Sequence, residues 1–275
     1  ILSNSLKSQN LSSANINKLD SFQKVLQQLE TIMYSDTNFI NRFQADSIFI
    51  PTFVKSLKTP FSFYFKFDSL KFIKKISPPD TSFKIFTWNF FISPQHIRQR
   101  GVIQMNTPNG NLLLYPLIDV SEFEHFLNGI ISECPENSNV CKNWIGAVYY
   151  QIIEKEFQHK KIYTLLGLDI DSDTTTTRWI DILTFQHNKP VFGGDYFDFS
   201  LDSNKTYFKD YKRYNISYKK GAGVLLKYDV KKDFIVYSHL TSLNGNETDA
   251  SNLVPDESFD YFIWKNGKWL YKPGD

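Results

Sequence analysis

Three aspartates in one short segment have the spacing of a calcium-binding loop. Asp169, Asp171 and Asp173 alternate with other residues and precede a run of four threonines. Carboxylates at the first, third and fifth positions of a loop can direct their oxygens at one calcium ion. The EF-hand pattern then fails, because Thr174 stands where that loop needs glycine and Ile180 stands where it needs glutamate. The segment therefore predicts either a calcium loop of another type, with Asp181 as an extra ligand, or a solvated acidic turn between two strands.

The two cysteines, Cys134 and Cys141, lie close together in a polar segment, with six residues between them. Two cysteines are too few for a zinc site unless histidines join them. The spacing favours a small disulfide loop over a pair of free thiols. A disulfide would in turn indicate an oxidising compartment.

Carboxylates beside aromatic residues are the candidates for glycoside chemistry. Asp195 and Asp198 lie in the segment Gly-Gly-Asp-Tyr-Phe-Asp over 193–198, and Asp260 precedes Tyr261. A glycosidase needs two carboxyl groups that face each other at a set separation. Sequence does not define that separation, so the three aspartates are either an acid pair or solubilising charges. The chain has no G-x-S-x-G, H-E-x-x-H, Walker or C-x-x-C motif, which favours a protein that is not an enzyme.

Aromatic residues make up 16% of the chain, with 25 Phe, 15 Tyr and 5 Trp. The tryptophans lie in segments of alternating polarity, which predicts core positions on strands; they are Trp88, Trp144, Trp179, Trp264 and Trp269. Aromatic side chains that remain at the surface could stack on sugars or dock on a protein.

The overall charge argues against a nucleic-acid partner, and the hydropathy argues against a transmembrane segment. The formal net charge is only +2, from 31 basic and 29 acidic residues, whereas nucleic-acid binders carry a clear basic excess. The chain also lacks the run of about 18 apolar residues that a transmembrane helix requires. We therefore expect neither a nucleic-acid partner nor a transmembrane segment.

The elements that position these residues begin with an N-terminal helical segment over 1–60. Apolar residues recur every three or four positions from Ile16 to Met33, with Ser13 as the predicted N-cap. A second helix is predicted from Thr37, and Pro51 is predicted to open a third.

From residue 61 the hydrophobic period changes to two. Phe61, Phe63, Phe65 and Phe67 alternate with other residues, which predicts a half-buried strand. One further helix is predicted over 122–131, and further strands over 70–76, 83–91, 101–106, 112–119, 144–154, 161–168, 178–186, 190–197, 211–219, 223–229, 233–239, 259–265 and 268–272. Short turns join many of them, whereas parallel pairing needs long crossovers. We therefore predict an α+β chain, with a large antiparallel β domain over 61–275 arranged as a meander, barrel or sandwich.

Several of these segments carry motifs that are also found together in other proteins. Lys-Ile-Phe-Thr-Trp stands at 84–88, Tyr-Thr-Leu-Leu-Gly at 163–167, Ile-Asp-Ile-Leu-Thr-Phe at 180–185, and the ending runs from Phe259 to Trp269. Over about residues 70–272 the chain resembles an uncharacterised family of secreted or periplasmic β-rich proteins of Bacteroidota. Leu168 departs from that family, which has Trp there, and the first 60 residues carry no motif that matches.

The resemblance implies an exported protein of the periplasm or the outer-membrane surface, whose leader was removed ahead of Ile1; a lipid anchor at that removed N-terminus is one form it could take. We expect a non-enzymatic binding or accessory component that docks on another envelope protein through an aromatic β surface. The alternative is a protein that binds or hydrolyses glycans by aromatic stacking and an Asp or Glu pair. No cofactor is expected other than calcium at the aspartate segment.

Overall fold

The structure is a computed structural model that describes residues 11–93, 96–119, 141–170, 174–201 and 212–274. These residues form two helices followed by three five-stranded sheets, which confirms the α+β class and the antiparallel-rich β region. The predicted helix over 122–131 lies outside the described residues, and the boundary at residue 60 stays a prediction.

The helices are α1 (Ser13–Ser35) and α2 (Phe39–Leu57). The predicted N-cap is wrong by one residue, because the Oγ of Ser12 accepts the hydrogen bond from the backbone N–H of Asn15 at 3.2 Å. The predicted break at Pro51 is also wrong, since α2 continues through it. Proline removes one helical hydrogen bond, and burial of the α2 side chains against the first sheet offsets that loss.

The strands form three sheets, which we call A, B and C. Sheet A has the order β1-β2-β3-β4-β5, with β1 (Lys74–Ile76), β2 (Phe83–Ser93), β3 (His96–Met105), β4 (Leu114–Asp119) and β5 (Cys141–Trp144). Sheet B has the order β11-β8-β7-β6, with β9 also paired to β8; its strands are β6 (Val148–Phe157), β7 (Lys160–Asp169), β8 (Thr175–Gln186), β9 (Lys189–Phe192) and β11 (Tyr214–Lys219). Sheet C has the order β10-β15-β14-β13-β12, with β10 (Phe197–Asp198), β12 (Leu226–Asp229), β13 (Phe234–Ser242), β14 (Leu253–Lys265) and β15 (Lys268–Lys272).

Three hydrophobic clusters stack these elements in layers. Alternate side chains of a strand point to opposite faces of its sheet. In β2, Phe86 and Trp88 therefore pack with the helices, whereas Phe83 and Ile85 pack with sheet B. The other face of sheet B shares a third cluster with sheet C. Within the described residues the order is helices, sheet A, sheet B, sheet C, so the strands form stacked sheets and no closed barrel.

Two strand pairs depart from the predicted antiparallel order. β4 pairs with β5, and β10 pairs with β15, in parallel. Neither pair is joined by a short turn, since residues 120–140 connect the first and β11 to β14 intervene in the second. The rule that a short turn excludes parallel pairing therefore does not apply to these two strand pairs.

The predicted strand over 61–67 is wrong. Residues Ser62–Tyr64 form a 3-10 turn, and Phe61 and Phe67 have left-handed backbone angles, with φ of 62° and 53°. The Nζ of Lys84 donates to the carbonyls of Phe63 and Phe65 at 2.5 and 3.1 Å, which gives these carbonyls a partner other than a neighbouring strand. Of the alternating phenylalanines, Phe65 and Phe67 pack into the helix-facing core from this compact turn.

Candidate functional site

Sheet C is the end layer of the described stack, and one of its faces is turned away from the other described layers. Its inward residues, such as Ile235, Phe262 and Trp269, belong to the cluster shared with sheet B. The alternate positions form what we call the outer face: Phe234, Val236, Phe259, Tyr261, Ile263 and Leu270. None of these six belongs to a hydrophobic cluster of the described residues. The outer face is therefore an apolar sheet surface without a described layer over it.

Strand pairing joins the outer face into one continuous patch. Val236 lies opposite Tyr261, Phe234 opposite Ile263, and Ile263 opposite Leu270. The rings of Phe234 and Tyr261 meet edge to face with their centroids 5.0 Å apart. Phe259 keeps 38% and Ile263 36% of its surface exposed, whereas Val236 is buried, with 6% exposed. Exposed apolar residues that lie together on one face mark interaction sites more often than scattered apolar residues do.

Lysines surround the outer face on the same side of the sheet. Lys227 lies opposite Val236, Lys272 opposite Tyr261, and Lys265 closes β14. All three are exposed, and none forms an ion pair with another described residue. Asp229, opposite Phe234, is the acidic residue that lies on this side of the paired strands. The outer face is thus an apolar centre with a basic rim.

A second set of exposed apolar residues lies on the helices. Phe39, Ile40, Phe43 and Ile48 of α2 are exposed, with Ile40 at 61%. The rings of Phe39 and Phe43 contact each other, with 5.8 Å between centroids. These residues lie on the opposite side of the layered stack from sheet C, so they serve as an internal comparison for the outer face.

Asp195 lines a cleft of about 360 Å³ between two hairpins, which we call the turn cleft. The β6–β7 turn of sheet B contributes Phe157 and Gln158, the β14–β15 turn of sheet C contributes Asn266, and the loop over 193–196 lies between them. Asn266-Gly267 is a two-residue hairpin turn, as predicted, with φ of 51° and 81°.

The carboxylate of Asp195 is held by a salt bridge rather than by a second carboxyl group. The Nζ of Lys268 donates to Oδ2 of Asp195 at 2.9 Å. Burial, with a contribution from the charge of Asp195, raises the pKa of Tyr196 in the same loop. Asp198 lines an adjoining recess of about 230 Å³ and accepts a hydrogen bond from the backbone N–H of Ser200 at 2.9 Å. The two candidate carboxylates thus have separate partners.

Asp260 and the aspartate segment occupy different places. Asp260 is buried, and its Oδ1 accepts a hydrogen bond from the backbone N–H of Gly274 at 3.2 Å. Asp169 is also buried, and its carboxylate accepts a hydrogen bond from the Nε2 of Gln99 in sheet A. Asp171 and Asp173 lie outside the described residues, so a calcium site there stays a prediction. Among the described residues, no three His, Cys, Asp or Glu side chains are grouped as metal ligands.

The disulfide also stays a prediction. Cys134 lies outside the described residues, and the structure describes the backbone of Cys141 at the start of β5 but not its side chain. The tryptophans follow the predicted core placement. Trp88, Trp144, Trp179 and Trp269 are buried, and Trp264 packs partly buried against Trp269 with centroids 5.2 Å apart.

Asp181, predicted as an extra ligand of a calcium loop, lies instead in a buried charged network of sheet B that sequence reasoning missed. The Nε of Arg213 donates to Oδ1 of Asp181 at 2.8 Å, and the hydroxyl of Tyr149 donates to Oδ2 at 2.7 Å. The backbone N–H of Ile182 also donates to this carboxylate, at 2.8 Å. Burial and the neighbouring Asp181 raise the pKa of Tyr149. A single aspartate inside the apolar run Ile180–Leu183 was the signal, because a buried charge requires partners.

Within the part of the chain that the structure describes, neither helix combines the length and the apolar character needed to cross a bilayer. Comparison with protein-family models, curated proteins and solved structures finds no match to the chain. Its function must therefore be inferred from its own residues.

Proposed function

We propose that this protein is a non-enzymatic docking component that binds another protein through the outer face of sheet C. The observation that carries the proposal is the continuous apolar patch of paired strands, which includes Phe259, Tyr261 and Ile263 and belongs to none of the described cores. Apolar and aromatic side chains at the centre of a patch supply most of the energy of protein association.

The chemistry of the partner follows from the rim. Lys227, Lys265 and Lys272 surround the apolar centre. A complementary surface would present apolar side chains at its centre and aspartate or glutamate at its edge. Such rim charges accelerate encounter and select the partner more than they tighten the complex.

The proposed compartment is the cell envelope, and it rests on the resemblance to exported proteins of Bacteroidota. In this account the partner is another envelope protein. The disulfide predicted between Cys134 and Cys141 fits the same compartment.

Site-specific photo-crosslinking tests the proposal in the organism that encodes the protein. A photoreactive residue replaces Ile263 on the outer face or, as the matched control, Ile40 on α2, which is also an exposed isoleucine. We expect position 263 to give one discrete adduct with an acidic protein, and position 40 not to give it. The same adduct from both positions, or no protein adduct from position 263, would contradict the proposal.

A further inference from the structure

The turn cleft is lined by apolar side chains and by uncharged polar side chains that can form hydrogen bonds. The ring of Phe157 rests on the β14–β15 turn, where a β-carbon at Gly267 would lie 2.4 Å from the ring. The ring of Tyr196 rests in the same way on Gly194, which has a φ of 145°. Glycine at these two positions therefore leaves room for two aromatic rings that line one cleft.

The polar lining is mostly uncharged. Gln158, Gln186 and Asn266 contribute side-chain amides, and Thr184 contributes a hydroxyl. Each amide can donate and accept hydrogen bonds at the same time. A ligand that matches this lining has many groups that both donate and accept hydrogen bonds. It also has an apolar face that packs against the rings of Phe157 and Tyr196.

The charged groups of the cleft nearly balance. The carboxylate of Asp195 is neutralised by Lys268 at 2.9 Å, which leaves Lys160 as the remaining cationic lining residue. This charge balance does not select an anion or a cation. Saccharides fit all three properties, because the C–H face of a pyranose packs on an aromatic ring while its hydroxyls donate and accept.

We propose that the turn cleft is a binding site for a neutral saccharide, separate from the outer face of sheet C. The volume of about 360 Å³ is at the small end of the range for ligand sites, which suits one or two sugar units and not a long chain buried throughout. Phe157 and Tyr196 pack against the sugar ring, and Asp195, Gln186 and Asn266 bond to its hydroxyls. Asp195 acts here as a hydrogen-bond acceptor.

Binding of defined sugars tests this site. The purified protein is screened against an array of neutral hexose and N-acetylhexosamine oligosaccharides, with sulfated and uronate-containing oligosaccharides as anionic comparisons. The strongest neutral binder is then titrated by calorimetry. We expect Gln186→Ala and Asp195→Asn each to weaken binding about tenfold, because the first removes an amide that bonds to the ligand and the second replaces a charged acceptor with a weaker neutral one.

Matched controls separate this effect from loss of folding. Gln28→Ala removes an exposed glutamine from α1, and Asp256→Asn removes an exposed aspartate whose Oδ2 lies 2.8 Å from Nδ1 of His239. Both controls should bind like the unaltered protein. The proposal is overturned if no neutral saccharide binds, if only anionic oligosaccharides bind and high salt removes them, or if the cleft variants bind as tightly as the controls.

Discussion

Asp181 of β8 and Arg213, the residue that precedes β11, form an ion pair with both side chains almost completely buried, at 2.8 Å between Nε and Oδ1. The hydroxyl of Tyr149 and the backbone N–H of Ile182 complete the hydrogen bonds of the carboxylate. The pair ties β11 to the centre of sheet B, the layer on which sheet C is stacked.

Breaking this pair should destabilise the fold strongly. Asp181→Leu removes the carboxylate that balances the buried charge of Arg213, so it should lower the free energy of unfolding by about 3–5 kcal/mol. The double variant Asp181→Leu/Arg213→Met should recover part of that loss, because it removes both charges. Urea unfolding of the unaltered protein, the two single variants Asp181→Leu and Arg213→Met, and the double variant measures the coupling energy of the pair. Additive losses in the double variant would show that the pair does not act as a unit.

Lys84 should make stability depend on alkaline pH. Burial, with a smaller effect of Lys75, lowers the pKa of Lys84 to about 8, whereas an unfolded lysine has a pKa of about 10.4. Between these values the unfolded chain binds more protons, so the stability contributed by this group rises with pH. The unaltered protein should gain about 2–3 kcal/mol over Lys84→Met from pH 8 to about pH 10, at about 1.4 kcal/mol per pKa unit. A difference in unfolding free energy that stays flat over this range would refute the assignment.

Asp80 should contribute stability that is lost in acid. Burial alone would raise its pKa, but hydrogen bonds from Lys161, Ser82 and Tyr163 lower it to about 2. Because this pKa lies below the unfolded value of about 3.9, the contribution is present above about pH 4 and disappears as the pH falls through 2. Asp80→Asn should cost about 1 kcal/mol near neutral pH, since solvent screens part of the effect. We expect the two unfolding curves to converge at pH 2; curves that stay equally separated would argue against this role.

The basic rim of the outer face should control the rate of association. Replacing Lys227, Lys265 and Lys272 with glutamine removes the charges that would attract an acidic partner. The association rate with the crosslinked partner should fall severalfold at low salt, and the difference should shrink near 1 M salt, where charges are screened beyond about 3 Å. Lys18, Lys24 and Lys55 on the helices, changed in the same way, provide the control. Equal rates for the two triple variants would exclude electrostatic guidance by the rim.

The sequence pattern predicts sheet C more closely than it predicts the surface that sheet C exposes. The alternation over 259–265 and the Asn266-Gly267 turn predict the β14–β15 hairpin, in which Trp264 pairs with Trp269. Both faces of β14 are apolar, however, so its periodicity cannot show which face meets solvent. That property depends on the stacking order of the sheets, which is a relation between distant segments.

The same limit explains the failures elsewhere. The alternating phenylalanines over 61–67 match a strand pattern. The carbonyls of Phe63 and Phe65, however, accept hydrogen bonds from the side chain of Lys84, about twenty residues away, and not from a neighbouring strand. The turn cleft likewise assembles Phe157, Asp195 and Asn266 from three separate segments. Local patterns show that Asp195 lies among glycines and aromatic residues, but not that two hairpin turns close around it.

The most direct test of the docking proposal is the affinity of the outer face for its crosslinked partner. Phe259→Thr/Ile263→Thr removes apolar surface while keeping residues that favour strands, and Phe43→Thr/Ile40→Thr makes the matched change on α2. The outer-face variant should raise the dissociation constant at least about tenfold, which corresponds to about 1.4 kcal/mol, while the helix variant should leave it unchanged. An unchanged dissociation constant for a folded Phe259→Thr/Ile263→Thr protein would contradict the proposal that sheet C is the docking surface.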